Sequence, residues 1–207
     1  MPTDDDVKFY DEIYTRTPGK WTNVDRDYMA FKLLSQFVDR PLSLLDYGCG
    51  NGHTLAFFRN QWVDTSYYGV DISGVARDLT GQRMFGQVWV MNEIPPRRFD
   101  VITCMGVAEH FENPVDGLCM LGEHLYPGGY LYLECPNCIA YSEDKTEGYR
   151  KTHEGSGQVE WHWRRDTWKQ AIIDAGFQIV RNYSGNAPEW QYIWILTTAQ
   201  TEQEPSA

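Results

Sequence analysis

Apolar and polar positions in this chain fall into blocks whose period keeps changing. Between Asp25 and Val38, the residues Met29, Ala30, Leu33, Leu34 and Phe37 recur three and four apart, the stripe of an amphipathic helix. Leu42–Asp46 follows as an apolar run closed by an acid and then by glycines, which reads as a buried strand feeding a βα turn. Thr54–Asn60 returns to helical spacing, with Leu55, Ala56 and Phe58 facing inward. Ser66–Val70 reads as a second strand ending at Asp71, and Gln87–Met91 as a third with Val88 and Val90 on one face. Asp100–Met105 is a fourth, centred on the β-branched pair Val101 and Ile102.

Pro114–Leu125 predicts a helix with proline in its first turn, where a missing N–H costs nothing. Tyr126-Pro127-Gly128-Gly129 predicts a tight turn before a fifth strand, Tyr130–Glu134. Thr167–Ala175 is a helix stopped by Gly176. Phe177–Tyr183 and Gln191–Thr198 are two closing strands, and the Gly/Asn/Pro-rich link between them suits an antiparallel hairpin. Strands alternating with helices predict an α/β fold, a mostly parallel sheet covered on both faces. The acidic start, Met1 to Asp6, and the tail 199–207 look like solvated ends. One segment, 135–165, is long for a plain connection and rich in Tyr, His and Trp, which favours function.

Gly48, Gly50 and Gly52 follow the first strand as G-x-G-x-G. Dinucleotide folds use G-x-G-x-x-G there to seat a pyrophosphate, so this spacing suits a cofactor with a nucleoside and no phosphate. The stretch Leu44 to Thr54 resembles motif I of the class I S-adenosylmethionine (SAM) dependent methyltransferases. The resemblance runs from Leu42 to Thr198. It implies a doubly wound seven-stranded, Rossmann-like sheet whose last strand is antiparallel. Residues 25–198 would form the catalytic domain, 135–165 an insert within it, and 1–24 a lid.

The resemblance also implies roles. Asp71, at the tip of the second strand, would bind the ribose hydroxyls with Ile72 beside it, against the alternative of a helix N-cap. Asp46 would position the methionine part of the cofactor, or else form a strand-end turn. Side chains on Gly48 or Gly50 would block cofactor approach. Asn92, with Met91 packing on the ring, would meet the adenine. Met105 lies at the sheet's carboxyl edge, as core or as cofactor contact.

Chemistry is expected after the fourth strand. Glu109-His110, Phe111 and Asn113-Pro114 resemble the corresponding motif of ubiquinone-biosynthesis O-methyltransferases. His110 has the pKa of a general base near neutrality, with Glu109 assisting; the alternative is a structural histidine. Small-RNA 2′-O-methyltransferases bind a divalent metal through Glu-x-x-Glu-His, but Gly106 stands where the first Glu would be. A metal would need His153 or His162 as well and is not favoured. Cys135-Pro136-Asn137-Cys138 is a C-x-x-C whose partner histidines are too far apart for a zinc site. Tyr10, Tyr14 and Trp21 in the N-terminal segment, and His153, His162 and Arg164 in the insert, are candidate acceptor contacts. Asp166 is expected to cap the last helix.

Bulk properties narrow the partners. Eight Trp and thirteen Tyr exceed the needs of one core, so some should line a pocket. A net charge of −11 argues against a general nucleic-acid surface, because phosphate binding needs a basic footprint. The expected partner is a small molecule. No apolar run reaches the roughly 20 residues that span a bilayer. The acidic start lacks the features of a signal peptide, and the odd count of five cysteines fits a reducing compartment, so a cytoplasmic protein is expected. The rival readings are metal-assisted methylation of an RNA 3′ end and a non-catalytic SAM-binding subunit.

Overall fold

The computed structural model describes residues 3–137, 147–151, 159–183 and 191–198. Seven strands form one sheet: β1 (Ser43–Tyr47), β2 (Ser66–Val70), β3 (Trp89–Met91), β4 (Phe99–Met105), β5 (Leu125–Pro136), β8 (Gln178–Tyr183) and β9 (Gln191–Thr197). Their order is β3-β2-β1-β4-β5-β9-β8. Pairing is parallel from β3 through β5, and β9 runs antiparallel to both β5 and β8. The order reverses direction at β1 and β4, so their carboxyl ends open a crevice of the kind where ligands bind in such sheets.

The helices are α1 (Asp4–Arg16), α2 (Val24–Leu34), α3 (His53–Arg59), α4 (Gly74–Arg83), α5 (Pro114–Glu123) and α6 (Arg165–Asp174). Two apolar clusters form on the sheet. One joins Leu45, Ile102, Leu118, Leu121, Leu133 and Trp168, and the other joins Leu33, Leu44, Phe58, Tyr67, Val101 and Tyr132. Successive residues of β1 and β4 fall in different clusters, so both strands are buried on both faces. That burial explains their continuous apolar runs.

Four local expectations change. The acidic start is not a frayed end: Thr3 and Asp6 form a capping box, and Asp4, Asp5 and Asp6 occupy the first turn of α1. Acids at a helix N-terminus meet the positive end of its dipole, so the charges that suggested solvation stabilise a helix. The hydrophobic pattern does not predict α4, because its described buried residues are only Ala76 and Thr80, too few for a stripe. The glycine turn at 126–129 is absorbed into β5, where the register passes from Phe99↔Leu125 to Val101↔Tyr130 as a bulge. Finally, part of the 135–165 segment is ordered as a two-stranded hairpin, β6 (Gly148–Lys151) with β7 (Val159–His162). His153, Cys138 and the tail 199–207 lie outside the described residues.

Candidate active site

A cleft of about 1800 Å³ opens over the carboxyl ends of β1, β2 and β4. Its floor is the Gly48–Gly52 loop, where all three glycines take positive φ (81°, 53° and 74°). A β-carbon at Gly48 would meet Val107 Cγ2 at 2.1 Å, and one at Gly50 would meet the Tyr14 hydroxyl at 2.6 Å. The space these glycines leave is therefore filled by the loop after β4 and by α1. They matter for seating the loop against protein, rather than only for admitting a ligand as the sequence alone suggests.

Four of the loop's five N–H groups already have acceptors. Gly48 and Cys49 donate to the Val70 carbonyl at 2.7 and 2.9 Å, Gly50 donates to Asp71 Oδ2 at 2.8 Å, and Gly52 donates to the Cys49 carbonyl at 2.9 Å. A phosphate-binding loop keeps such donors free for its ligand. This one presents the Asp71 carboxylate instead. Asp71 Oδ1 also accepts from the Ser73 N–H at 2.9 Å, which leaves further lone pairs on both oxygens. Burial raises the Asp71 pKa, opposed by the N–H groups of Ser73 and Gly50 and by Arg77. An acceptor-rich cleft whose glycine-loop donors are mostly engaged fits a ribose-bearing cofactor.

Asp71, Ile72, Asn92 and Met105 all border the cleft, with Gly48 and Gly50. Asp46 and Met91 do not. Asp46 sits inside the sheet opposite Thr103 in the β1–β4 register, and the Thr103 hydroxyl donates to it at 2.7 Å. Burial pushes its pKa up to about 7, a rise that the Thr103 bond opposes and Asp27 reinforces. Met91 packs against the core, and its carbonyl accepts the Asp71 N–H at 3.1 Å. Both hold the cleft from behind.

The buried state of Asp46 has a measurable consequence. Its folded pKa lies above the unfolded value, so the folded protein keeps a proton that the unfolded chain has released between about pH 4 and pH 7. That component of stability is intact below the window and is lost as pH rises through it. In Asp46→Asn the component is absent. Urea unfolding is expected to show the D46N variant gaining about 2 to 4 kcal/mol on wild type between pH 5 and pH 8.5. A constant difference across that range would mean Asp46 stays ionised.

Beyond β4, a 3-10 turn (Ala108–His110) places Glu109 and His110 at the cleft wall. Glu109 is buried, and among the described residues its Oε2 has no hydrogen-bond partner. Burial first, and then repulsion from Glu160 and Glu134, pushes its pKa up to about 8. His110 Nε2 is hydrogen-bonded to the Tyr10 hydroxyl at 3.2 Å. From α1, Tyr10 and Tyr14 also border the cleft, as does Trp21 just beyond that helix. Trp21 has a positive φ of 62° and lies edge-on to Tyr14, with ring centres 5.5 Å apart. A bulky residue is rare in that conformation and is held there by its surroundings. Asp11 accepts hydrogen bonds from the Ser73 hydroxyl and, at 3.2 Å, from the Val75 N–H, which pins α1 to the start of α4.

Two insert candidates do not themselves border the cleft. Among the residues bordering the cleft, the hairpin supplies Glu160 and Trp161 and not His162. Arg164 is exposed, and its N–H donates to Glu147 at 2.6 Å. It also occupies the N-cap position expected for Asp166, which falls in the first turn of α6.

Residues that the sequence did not single out complete the site. Arg26 on α2 donates to the Met105 carbonyl at 3.2 Å and faces Glu134 at 3.5 Å. The buried Asp27 accepts from the Thr54 hydroxyl at 2.8 Å and is paired with the His53 ring. Both lie in the polar stripe of a helix whose apolar face alone was visible. An Arg followed by an Asp in a helix is no motif by itself. Among the described residues, no group of three His, Cys, Asp or Glu is arranged to hold a metal ion.

Comparison with known proteins agrees with this geometry. A family model described as a methyltransferase domain matches residues 21–182. The chain is 33% identical over 129 residues to a tRNA U34 carboxymethyltransferase of Tolumonas auensis, covering 58% of this chain and 37% of that one. It is 34% identical over 101 residues to the mitochondrial ubiquinone biosynthesis O-methyltransferase of Schizosaccharomyces pombe, covering 44% and 36%. The chain spans between a quarter and about half the length of the curated relatives first matched. Among solved structures, the 1,6-didemethyltoxoflavin-N1-methyltransferase of Burkholderia thailandensis, holding its substrate and S-adenosylhomocysteine, superposes with a TM-score of 0.72 at 18% identity. That match covers 97% of this chain and 92% of the other. With the family model matching most of its length and the sheet order and glycine loop in place, the chain belongs to the methyltransferase domain family of SAM-dependent enzymes.

Proposed function

We propose that this chain transfers a methyl group from SAM to an oxygen of a small molecule bound between the 3-10 turn, β7 and α1. The observation that carries this reading is the cleft itself. It joins an acid suited to a ribose, Asp71, to an aromatic and acidic chamber bordered by Tyr47, Phe111, Trp161 and Glu109. SAM, when bound, supplies a methyl group activated on a sulfonium, so the protein mainly has to align the acceptor.

On this reading Asp71 holds the ribose hydroxyls and Asn92 meets the adenine. Arg26, a cation at the cleft wall, receives the cofactor's carboxylate. Tyr10, Tyr14 and Trp21 form a lid that excludes water. His110 accepts the proton released as the acceptor hydroxyl becomes an ether, and the Tyr10 hydroxyl orients its ring. Residues of α1 border the cleft on one side and residues of β7 on the other, an arrangement that suits a small acceptor. The structural neighbour that holds 1,6-didemethyltoxoflavin supports it too.

The RNA reading keeps a specific observation, the relative that acts on a tRNA base. Labelled SAM incubated with the protein and a cell extract, split afterwards into RNA and small-molecule fractions, separates the two. Label in small molecules that survives a chelator is the expected result. Chelator-sensitive label in RNA would overturn it, and tight SAM binding with no transfer at all would favour a non-catalytic subunit.

A further inference from the structure

The cleft wall beside the 3-10 turn carries more negative charge than methyl transfer to a hydroxyl requires. Glu109 from that turn, Glu134 from β5 and Glu160 from β7 all border the cleft. Among the described side chains, Arg26 stands 3.5 Å from Glu134, and His162, a cation when protonated, stands 3.9 Å from Glu160. Glu109 is 6% exposed, and among the described residues its Oε2 has no hydrogen-bond donor. A buried carboxylate oxygen without a donor is costly, and the charges of Glu134 and Glu160 repel its ionised form. Phe111 and Trp161 add flat apolar surface at the same wall.

We propose that this wall is a subsite for a protonated amine on the acceptor. The ammonium donates to Glu109, lies in the field of Glu134 and Glu160, and rests its adjoining carbons or ring against Phe111 and Trp161. One cation then answers both features of the empty wall, because it supplies the missing donor and relieves the repulsion among the carboxylates. A neutral hydroxyl supplies only the donor. A carboxylate supplies neither and adds a further negative charge. The aromatic faces favour the same ligand, since a cation is drawn to a ring's π surface. The acceptor is thus a small amine-bearing compound, which rests on the small-molecule reading above and specifies its substrate class.

The cofactor also carries an ammonium, so the test uses the full-length protein saturated with S-adenosylhomocysteine, in which that group is already bound. Three matched probes are titrated by intrinsic tryptophan fluorescence: 2-phenylethylamine, 2-phenylethanol and 3-phenylpropionate. The amine is expected to bind at least about tenfold more tightly than the alcohol, with the carboxylate weakest. Glu109→Gln and, separately, Glu160→Gln should each reduce that preference to about threefold or less while S-adenosylhomocysteine affinity by calorimetry stays near wild type. An alcohol that binds as well as the amine, or a preference that survives both variants, overturns the subsite and leaves the methyltransferase reading standing. Loss of S-adenosylhomocysteine affinity in E109Q overturns it differently, by assigning Glu109 to the cofactor's own ammonium. Wild-type protein that fails to bind S-adenosylhomocysteine at all would overturn the functional reading itself, and the subsite with it.

Discussion

Asp71→Ala is expected to weaken SAM binding by roughly 100-fold or more, because hydrogen bonds from two ribose hydroxyls to a charged acceptor contribute on the order of 1.5 to 3 kcal/mol each. The structure adds a second loss. The Gly50 and Ser73 N–H groups, which donate to this carboxylate at 2.8 and 2.9 Å, would be left without their acceptor. Each such orphan costs about 1 to 3 kcal/mol where water cannot reach it. D71A should therefore also melt at a lower temperature. Asp71→Asn separates the two effects, since its amide oxygen still accepts from one N–H while its charge is gone. Calorimetry with S-adenosylhomocysteine and a thermal melt on both variants check this. Unchanged affinity in D71A would remove Asp71 from the cofactor site.

The second large effect concerns His110. If it takes the acceptor's proton, His110→Ala should lower turnover by about 10² to 10⁴ with SAM affinity unchanged, the range expected for a positioned base. Tyr10→Phe removes the 3.2 Å contact that orients the ring and should show a smaller loss of turnover. Equal activity in H110A would leave His110 as a packing residue between α1 and the turn. The split between turnover and SAM affinity is the deciding readout, since a base acts on the chemical step and not on cofactor binding.

The two residues were legible in the sequence for different reasons. Asp71 is read from a strand that ends in an acid 21 residues after Gly50, and a strand terminus fixes where its next side chain points. His110 is read only through resemblance, because a lone histidine after a strand has no periodic pattern to place it. What lies behind the site was harder still. Asp46 was expected to face the cofactor, yet it faces Thr103, because register with β4 decides the surroundings of a residue buried in a sheet. Arg26, Glu134 and Glu160 belong to three elements distant in the chain, and no spacing connects them.

The sequence by itself determined the alternation of strands and helices, the glycine loop and the acid at the tip of β2. Each rests on local physics, namely burial period, backbone freedom and chain termini. Tertiary structure decided the rest. It turned the acidic start into a capped helix whose Tyr14 meets Gly50, and it filled the glycine gaps with Val107 and Tyr14 rather than ligand. It sent Glu160 and Trp161 into the cleft while leaving Arg164 outside. It also brought the charges of Glu134 and Glu160 to bear on one buried, unmatched Glu109 oxygen. Electrostatic surroundings depend on distance through space, and only the folded chain sets those distances.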